Sequence, residues 1–266
     1  MKVRVRDIPY SFEQHQDSPA LPSLVLLHGF LGSGQIFTGL IKELKEFCNP
    51  ITIDLLGHGN TEGAELHYRF STKEQVTDLV KLISEQLETP LFLYGYSMGA
   101  RLALHLALRR SDLIRGLILE SGTFGIEEET ERQARQALDA SRADQIFGNY
   151  NQFLKEWREL PMFKSDKSIR EVNEIQQDQN PTWMANSLLG FGTGTMPHVK
   201  NRLNELIAPT LLIVGEKDTK FIRVNQTLKK EIPSSELAII KNASHRVHLD
   251  NPEQIAKHLK NFITSN

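Results

Sequence analysis

The stretch "LFLYGYSMGAR", Leu91 to Arg101, decides how this sequence is read. Its apolar start has the length of one buried strand, and Gly95-Tyr96-Ser97-Met98-Gly99 follows as G-x-S-x-G, the pattern of a nucleophile elbow. After it, "MGARLALHLALRR" carries Leu and Ala at helical spacing, so the chain turns from strand to helix at Ser97. Read as a turn residue, Ser97 needs no partners. Read as a reactive one, it needs a histidine to accept its proton and a carboxylate to hold that histidine.

Outward from the elbow, the same unit recurs. "SLVLLHGF" from Ser23, "NPITIDLLGHG" from Asn49, "IRGLILES", "PTLLIVGEKD" and "SELAIIKNASH" are short apolar runs ending in loops. Between them lie amphipathic segments. Ser71 opens "STKEQVTDLVKLISEQLE" with Glu74 three residues on, the pattern of a capping box. Val76, Leu79, Val80, Ile83 and Leu87 then keep one apolar helical face. Further helices are expected near Phe221–Glu231 and from Pro252 to about Ile263. Strand alternating with helix predicts an α/β fold, a mostly parallel central sheet with helices on both faces.

The alternation stops over residues 125–205. This interval is rich in charge and amides ("EEETERQARQ", "EIQQDQNP"), ends in a "GFGTGTMP" loop and has no strand-like run. Phe147, Tyr150, Phe153, Leu154, Trp157 and Phe163 argue for packed helices rather than disorder. The expected organisation is a core of residues 1–124 and 206–266 with a helical cap, 125–205, inserted in it.

Bulk properties exclude several classes. The 266 residues carry a formal net charge of −2, with 24% charged and 39% hydrophobic, so nothing marks the whole chain as a nucleic-acid binder. No apolar run is long enough to span a bilayer, and "MKVRVRDIPY" lacks the apolar stretch of a signal peptide. The single cysteine, Cys48, excludes an internal disulfide and reads as a packed residue beside a strand. A cytoplasmic protein is expected. There is no Cys/His set at metal-ligand spacing and no dinucleotide glycine fingerprint, so neither metal nor cofactor is expected.

The partners that Ser97 requires stand in the chain order of this architecture, serine, then acid, then histidine. Asp218 follows "LLIVG" and His245 closes "NASH", each after a predicted strand. Those strand ends are where open parallel sheets hold their ligands. Glu216 is a rival acid that reads better as a turn residue, and Glu120 is a weaker one. His248 reads as a solvated or locally bonded residue at a helix entry, and His58 in "LLGHGNT" as part of a structural turn. An oxyanion needs two backbone donors. Met98, at the start of a helix, supplies one, and Phe30 in "HGFLG" is the choice for the other.

Arg101 lies four residues beyond Ser97 on an otherwise Leu/Ala-lined helix and so shares the serine's face. One reading is an ion pair with a cap carboxylate or Glu120. The other is a clamp for a carboxylate substrate, which suits a guanidinium fork. Arg132 and Arg135 could extend such a clamp.

"HGFLG", "DLLGHG", "GYSMGAR", "GEKDTKF" and "NASHRVHLDNPE", in this order, resemble the α/β-hydrolase superfamily across nearly the whole chain. Within it, "GYSMGAR", "ERQARQALD", "FLKEWRELPMF" and "NPTWMANSLLGFGTGTMP" resemble the menaquinone-pathway synthases of MenH type. The resemblance implies an α/β-hydrolase fold and a lyase that eliminates pyruvate from a tricarboxylate cyclohexene to give 2-succinyl-6-hydroxy-2,4-cyclohexadiene-1-carboxylate. It implies that Ser97, His245 and Asp218 act as the base, that Phe30 and Met98 hold the enolate, and that Tyr96, Arg101, Arg135 and Trp157 contact substrate. It implies no cofactor and no obligate protein partner. Two departures stand out. Ala100 replaces the second glycine of the family's G-Y-S-M-G-G-R. Gln176 stands near the place of a family cap arginine, for which Arg170 could compensate only if its helix is shifted. The alternatives left open are a serine hydrolase of small acidic esters or of carbon–carbon bonds next to a ketone, and a non-catalytic binding protein of the same fold.

Overall fold

The computed structural model describes residues 1–163 and 169–266. Eight strands form one sheet in the order β1-β2-β4-β3-β5-β6-β7-β8. They are β1 (Lys2–Val5), β2 (Ile8–Gln14), β3 (Ser23–Leu27), β4 (Asn49–Ile53), β5 (Leu91–Tyr96), β6 (Ile114–Glu120), β7 (Thr210–Gly215) and β8 (Ser235–Ile240). From β4 to β8 all neighbours are parallel, whereas β1 and β2 pair antiparallel and β2 joins β4 antiparallel. This N-terminal pair is absent from the sequence reading. β1 is mostly exposed and β2 includes Pro9, so neither gives a continuous apolar run.

Side chains alternate faces along each strand and so divide the core in two. Val25, Leu27, Ile51, Ile53, Leu93 and Leu117 pack under α2 (Thr72–Gln86) and α3 (Met98–Arg109). Leu24, Leu26, Phe92, Ile118 and Ile213 face the other way, against α1 (Thr38–Leu44) and the C-terminal α10 (Pro252–Ser265). Helices on both faces follow from strands that are apolar on both.

Helix α2 begins where expected but by other means. The Ser71 side chain makes no capping bond, and Glu74 instead accepts from Arg6 at 2.8 Å. The capping box is therefore not formed; the arginine of the N-terminal hairpin takes the carboxylate.

Between β6 and β7 the chain forms α4 (Glu129–Gly148), α5 (Tyr150–Arg158), α6 (Ile169–Gln177) and α7 (Pro181–Phe191). Phe153, Leu154, Ala143, Ile146, Met184 and Leu188 bury a third cluster that also takes in Leu31 from the loop after β3. Phe147, expected inside, is 56% exposed, because the buried face of α4 is built on Asp139, Ala143 and Ile146. After β7 come α8 (Thr219–Glu231), β8, the one-turn α9 (Val247–Asp250) and α10.

Candidate active site

Strand order reverses about β3, with β4 on one side and β5 on the other, so the loops after β3 and β5 flank a crevice at the sheet's carboxyl edge. Ser97 sits in the second of these loops with φ +51° and ψ −103°, a strained conformation for a residue other than glycine. Its N–H donates to the Glu120 carbonyl at 2.8 Å and its carbonyl accepts from Arg101 N. The flanking glycines let α3 lie directly on the sheet. A Cβ on Gly99 would stand 2.1 Å from the Leu27 carbonyl oxygen, and one on Gly95 would stand 2.4 Å from that of Gly99. Ala100 fits at the family's second glycine because Gly122 lies opposite, where an added Cβ would be 2.9 Å from the Ala100 methyl.

His245 Nε2 lies 3.1 Å from Ser97 Oγ, and its Nδ1 lies 2.6 Å from Asp218 Oδ2. The other Asp218 oxygen accepts from Phe221 N and caps α8, which fixes the carboxylate. The imidazole is fully buried, with the rings of Tyr96 and Phe221 at 5.6 and 4.5 Å. Glu216 takes the backbone N–H of Asn242, a turn contact. The three residues named from sequence order thus form one hydrogen-bonded line.

The other carboxylate candidate, Glu120, is fully buried but engaged elsewhere. It accepts from the Tyr94 hydroxyl and from His248, whose backbone N–H and Nδ1 reach it at 3.1 and 2.9 Å. His248 is therefore neither solvated nor locally bonded; its partner lies 128 residues earlier in the chain. His58 is buried, bonded to the Leu56 carbonyl, and pushed down to about 3 by burial. It is a structural residue. His28 is the residue the sequence reading passed over. Its Nδ1 bonds to the Gly29 carbonyl at 2.7 Å and its Nε2 accepts from Leu55 N, which ties the Phe30 loop to the turn after β4. Burial pushes it down to about 4, so it stays neutral in this role.

A cavity of about 490 Å³ opens above Ser97, within the range of small-molecule sites. Phe30, Tyr96, Met98, Arg101, Arg135 and Trp157 all line it, as does Gln176. Met98 is the first residue of α3, so its N–H has no intrahelical partner. Arg132 does not reach the wall; it pairs with Glu129 on the outer surface. Arg170 pairs with Glu174 outside and is largely exposed, so it does not take the place of the absent cap arginine.

Arg101 is buried, yet the ion pair expected for it as a structural residue is absent among the described residues. Its Nη1 donates to the Phe191 carbonyl at 2.8 Å and its guanidinium lies 4.5 Å from the Phe191 ring. Burial first, and the charge of Arg135 second, push it down to about 9. Arg135 and Arg142 share one carboxylate, Asp139, at 2.9 and 3.6 Å. The wall also carries Arg142, Lys217, Lys220 and Arg246, against Asp218 as its one carboxylate among the described residues. A site so charged favours an anion.

The Alpha/beta hydrolase family profile matches residues 24–258. A Bacillus subtilis (strain 168) protein, provisionally named 2-succinyl-6-hydroxy-2,4-cyclohexadiene-1-carboxylate synthase, is 37% identical over 92% of each chain. The synthase of that name from Salmonella paratyphi C (strain RKS4594) is 27% identical, over 92% of this chain and 95% of its own. The solved structure of MenH from S. aureus superposes with a TM-score of 0.88 at 30% identity, covering 96% of this chain and 98% of that one. A match of that extent in sequence and in structure means that the chain belongs to the α/β-hydrolase family, in its 2-succinyl-6-hydroxy-2,4-cyclohexadiene-1-carboxylate synthase branch, and is an enzyme on that fold.

Proposed function

We propose that this enzyme eliminates pyruvate from 2-succinyl-5-enolpyruvyl-6-hydroxy-3-cyclohexene-1-carboxylate to give 2-succinyl-6-hydroxy-2,4-cyclohexadiene-1-carboxylate, a step of menaquinone biosynthesis. The observation that carries the reading is Arg101: a buried cation on the cavity wall, one helical turn from Ser97, with no carboxylate partner among the described residues. An enzyme for neutral esters has no use for such a group, whereas a substrate with three carboxylates supplies its counter-charge. In this reading residues 125–205 are a cap over a core of 1–124 and 206–266, and the cap contributes Arg135 and Trp157. Cytoplasm is the proposed setting, where a lone free thiol such as Cys48 stays reduced.

Ser97 hydroxyl, hydrogen-bonded to His245, takes the ring proton next to the succinyl ketone as its own proton passes to Nε2. Asp218 on Nδ1 holds the tautomer and stabilises the imidazolium. The C–H pair becomes an enolate, whose oxygen rests on the N–H groups of Phe30 and Met98. As the enolate collapses, the ring C–O bond to the enolpyruvyl group breaks; the departing enolate takes the proton back and becomes pyruvate. No acyl-enzyme forms. Incubation with the enolpyruvyl substrate, with pyruvate release followed directly, tests the proposal. Turnover of simple aryl esters with no pyruvate above the spontaneous rate would overturn it in favour of a serine hydrolase.

A further inference from the structure

We propose that Arg246 is a substrate-binding residue that takes one carboxylate of the substrate. The inference rests on the polycarboxylate reading above and names a contact within it.

Gln176 lines the cavity, but its side chain is committed. Its Oε1 accepts from Arg158 Nε at 2.8 Å, and Arg158 Nη2 is bonded to the Asn173 carbonyl. The Gln176 backbone carbonyl takes the Tyr150 hydroxyl. An amide held in this way orients a guanidinium and offers no charge of its own. A positive charge is supplied elsewhere on the same cavity. Arg246 directly follows His245, lines the same cavity and lies with its guanidinium 4.3 Å from the Phe163 ring. Its charge also acts on Tyr96, another residue of the wall. Among the described residues it makes no ion pair with a carboxylate, and the charges it acts on include the like-charged Arg158. A guanidinium on the cavity wall that rests on an aromatic ring and makes no ion pair with an acid among the described residues is a place for an anion.

This cation is also distinct from the Arg101 wall. Arg101 stands on α3 and Arg135 and Arg142 on α4, whereas Arg246 lies in the turn between β8 and α9. The cavity therefore draws its cations from separate elements of the fold, and Ser97 and His245 line it with them. A ring bearing carboxylates on different arms suits that division, since each arm then fixes one axis of the ring's orientation.

The test compares wild type, Arg246→Gln and Arg246→Lys in two measurements. With the enolpyruvyl substrate, Arg246→Gln is expected to raise KM about tenfold, the fall in kcat/KM coming mainly through KM, with partial recovery in Arg246→Lys. By calorimetry, tricarballylate is expected to bind wild type and to bind Arg246→Gln about tenfold more weakly. Equal tricarballylate affinity in wild type and Arg246→Gln, or no binding to wild type, overturns the assignment. So does a KM that stays within twofold of wild type. Absence of pyruvate release by wild type, with tricarballylate binding still dependent on Arg246, would overturn the lyase reading and leave the anion site standing.

Discussion

Two parts of one cavity treat charge in opposite ways. At the sheet's carboxyl edge, His245 has Asp218 at 2.6 Å on one nitrogen and Ser97 at 3.1 Å on the other, and the carboxylate's second oxygen caps a helix. One turn along α3, Arg101 is buried with a carbonyl, a thioether and an aromatic ring but no ion pair among the described residues. The Asp139 carboxylate that acts on it is held by Arg135 and Arg142. The first arrangement is complete without a ligand and serves many reactions on this fold. The second costs stability until an anion arrives, which makes it informative about the substrate.

The largest expected effect tests the complete half. Ser97→Ala should lower pyruvate elimination by about 10³-fold or more while the variant still binds substrate, because only the base is removed. Turnover at the wild-type rate would take Ser97 out of the mechanism.

The incomplete half predicts two effects of opposite sign from one substitution. Arg101→Met should reduce kcat/KM by about 30-fold to several-thousandfold, the range for a lost charged contact of about 2–5 kcal/mol. The same variant should be more stable without ligand by about 1–4 kcal/mol, since an unpaired buried charge is replaced by an apolar chain of similar length. Urea unfolding reads the second effect. A variant that is both less active and less stable would make Arg101 a structural residue.

These contrasts also explain what could be read from sequence. Ser97, Asp218 and His245 were legible because each closes an apolar strand run, and a parallel sheet gathers such ends at one edge. The antiparallel β1–β2 pair was not, since its strands are short and partly exposed. Nor was the Glu120–His248 contact, whose partners lie far apart in the chain and carry no shared motif. Arg142 and Arg246 looked like any other charged residues. Only the crossing of α4 and the turn after His245 put them on the cavity wall. Arg132, three residues from Arg135, faces outward for the same reason: which face a helix presents depends on what it packs against.

Burial also keeps charge off histidines outside the cavity wall, and this gives a pH signature. His28 and His105 are pushed down to about 4 and His58 to about 3, in each case first by burial. The unfolded chain protonates these rings near the ordinary value of 6.5, while the folded one does not. Stability from these groups is therefore full above pH 6.5 and falls as pH drops towards 4, and for His58 towards 3. Each ring contributes at most about 1.4 kcal/mol per pH unit in that window. The urea midpoint should fall steadily from pH 7 to pH 4.5, and His105→Leu should flatten the slope. An unchanged midpoint across this range would mean that the buried rings are not neutral.

The smallest expected effect concerns the elbow's one departure from its family. Ala100 is tolerated because Gly122 leaves room across from it, so the two positions should be coupled rather than independent. Gly122→Ala places a methyl 2.9 Å from the Ala100 methyl and should cost about 1–3 kcal/mol through overpacking. In Ala100→Gly the opposing methyl is gone, and the same Gly122→Ala change should cost less by about 1 kcal/mol or more. Helix α3 carries both Ala100 and Arg101, so the overpacked variant should also raise KM for the enolpyruvyl substrate, and the double variant should restore it. If the two substitutions add without coupling, the room at Gly122 does not explain Ala100, and the backbone must accommodate it elsewhere.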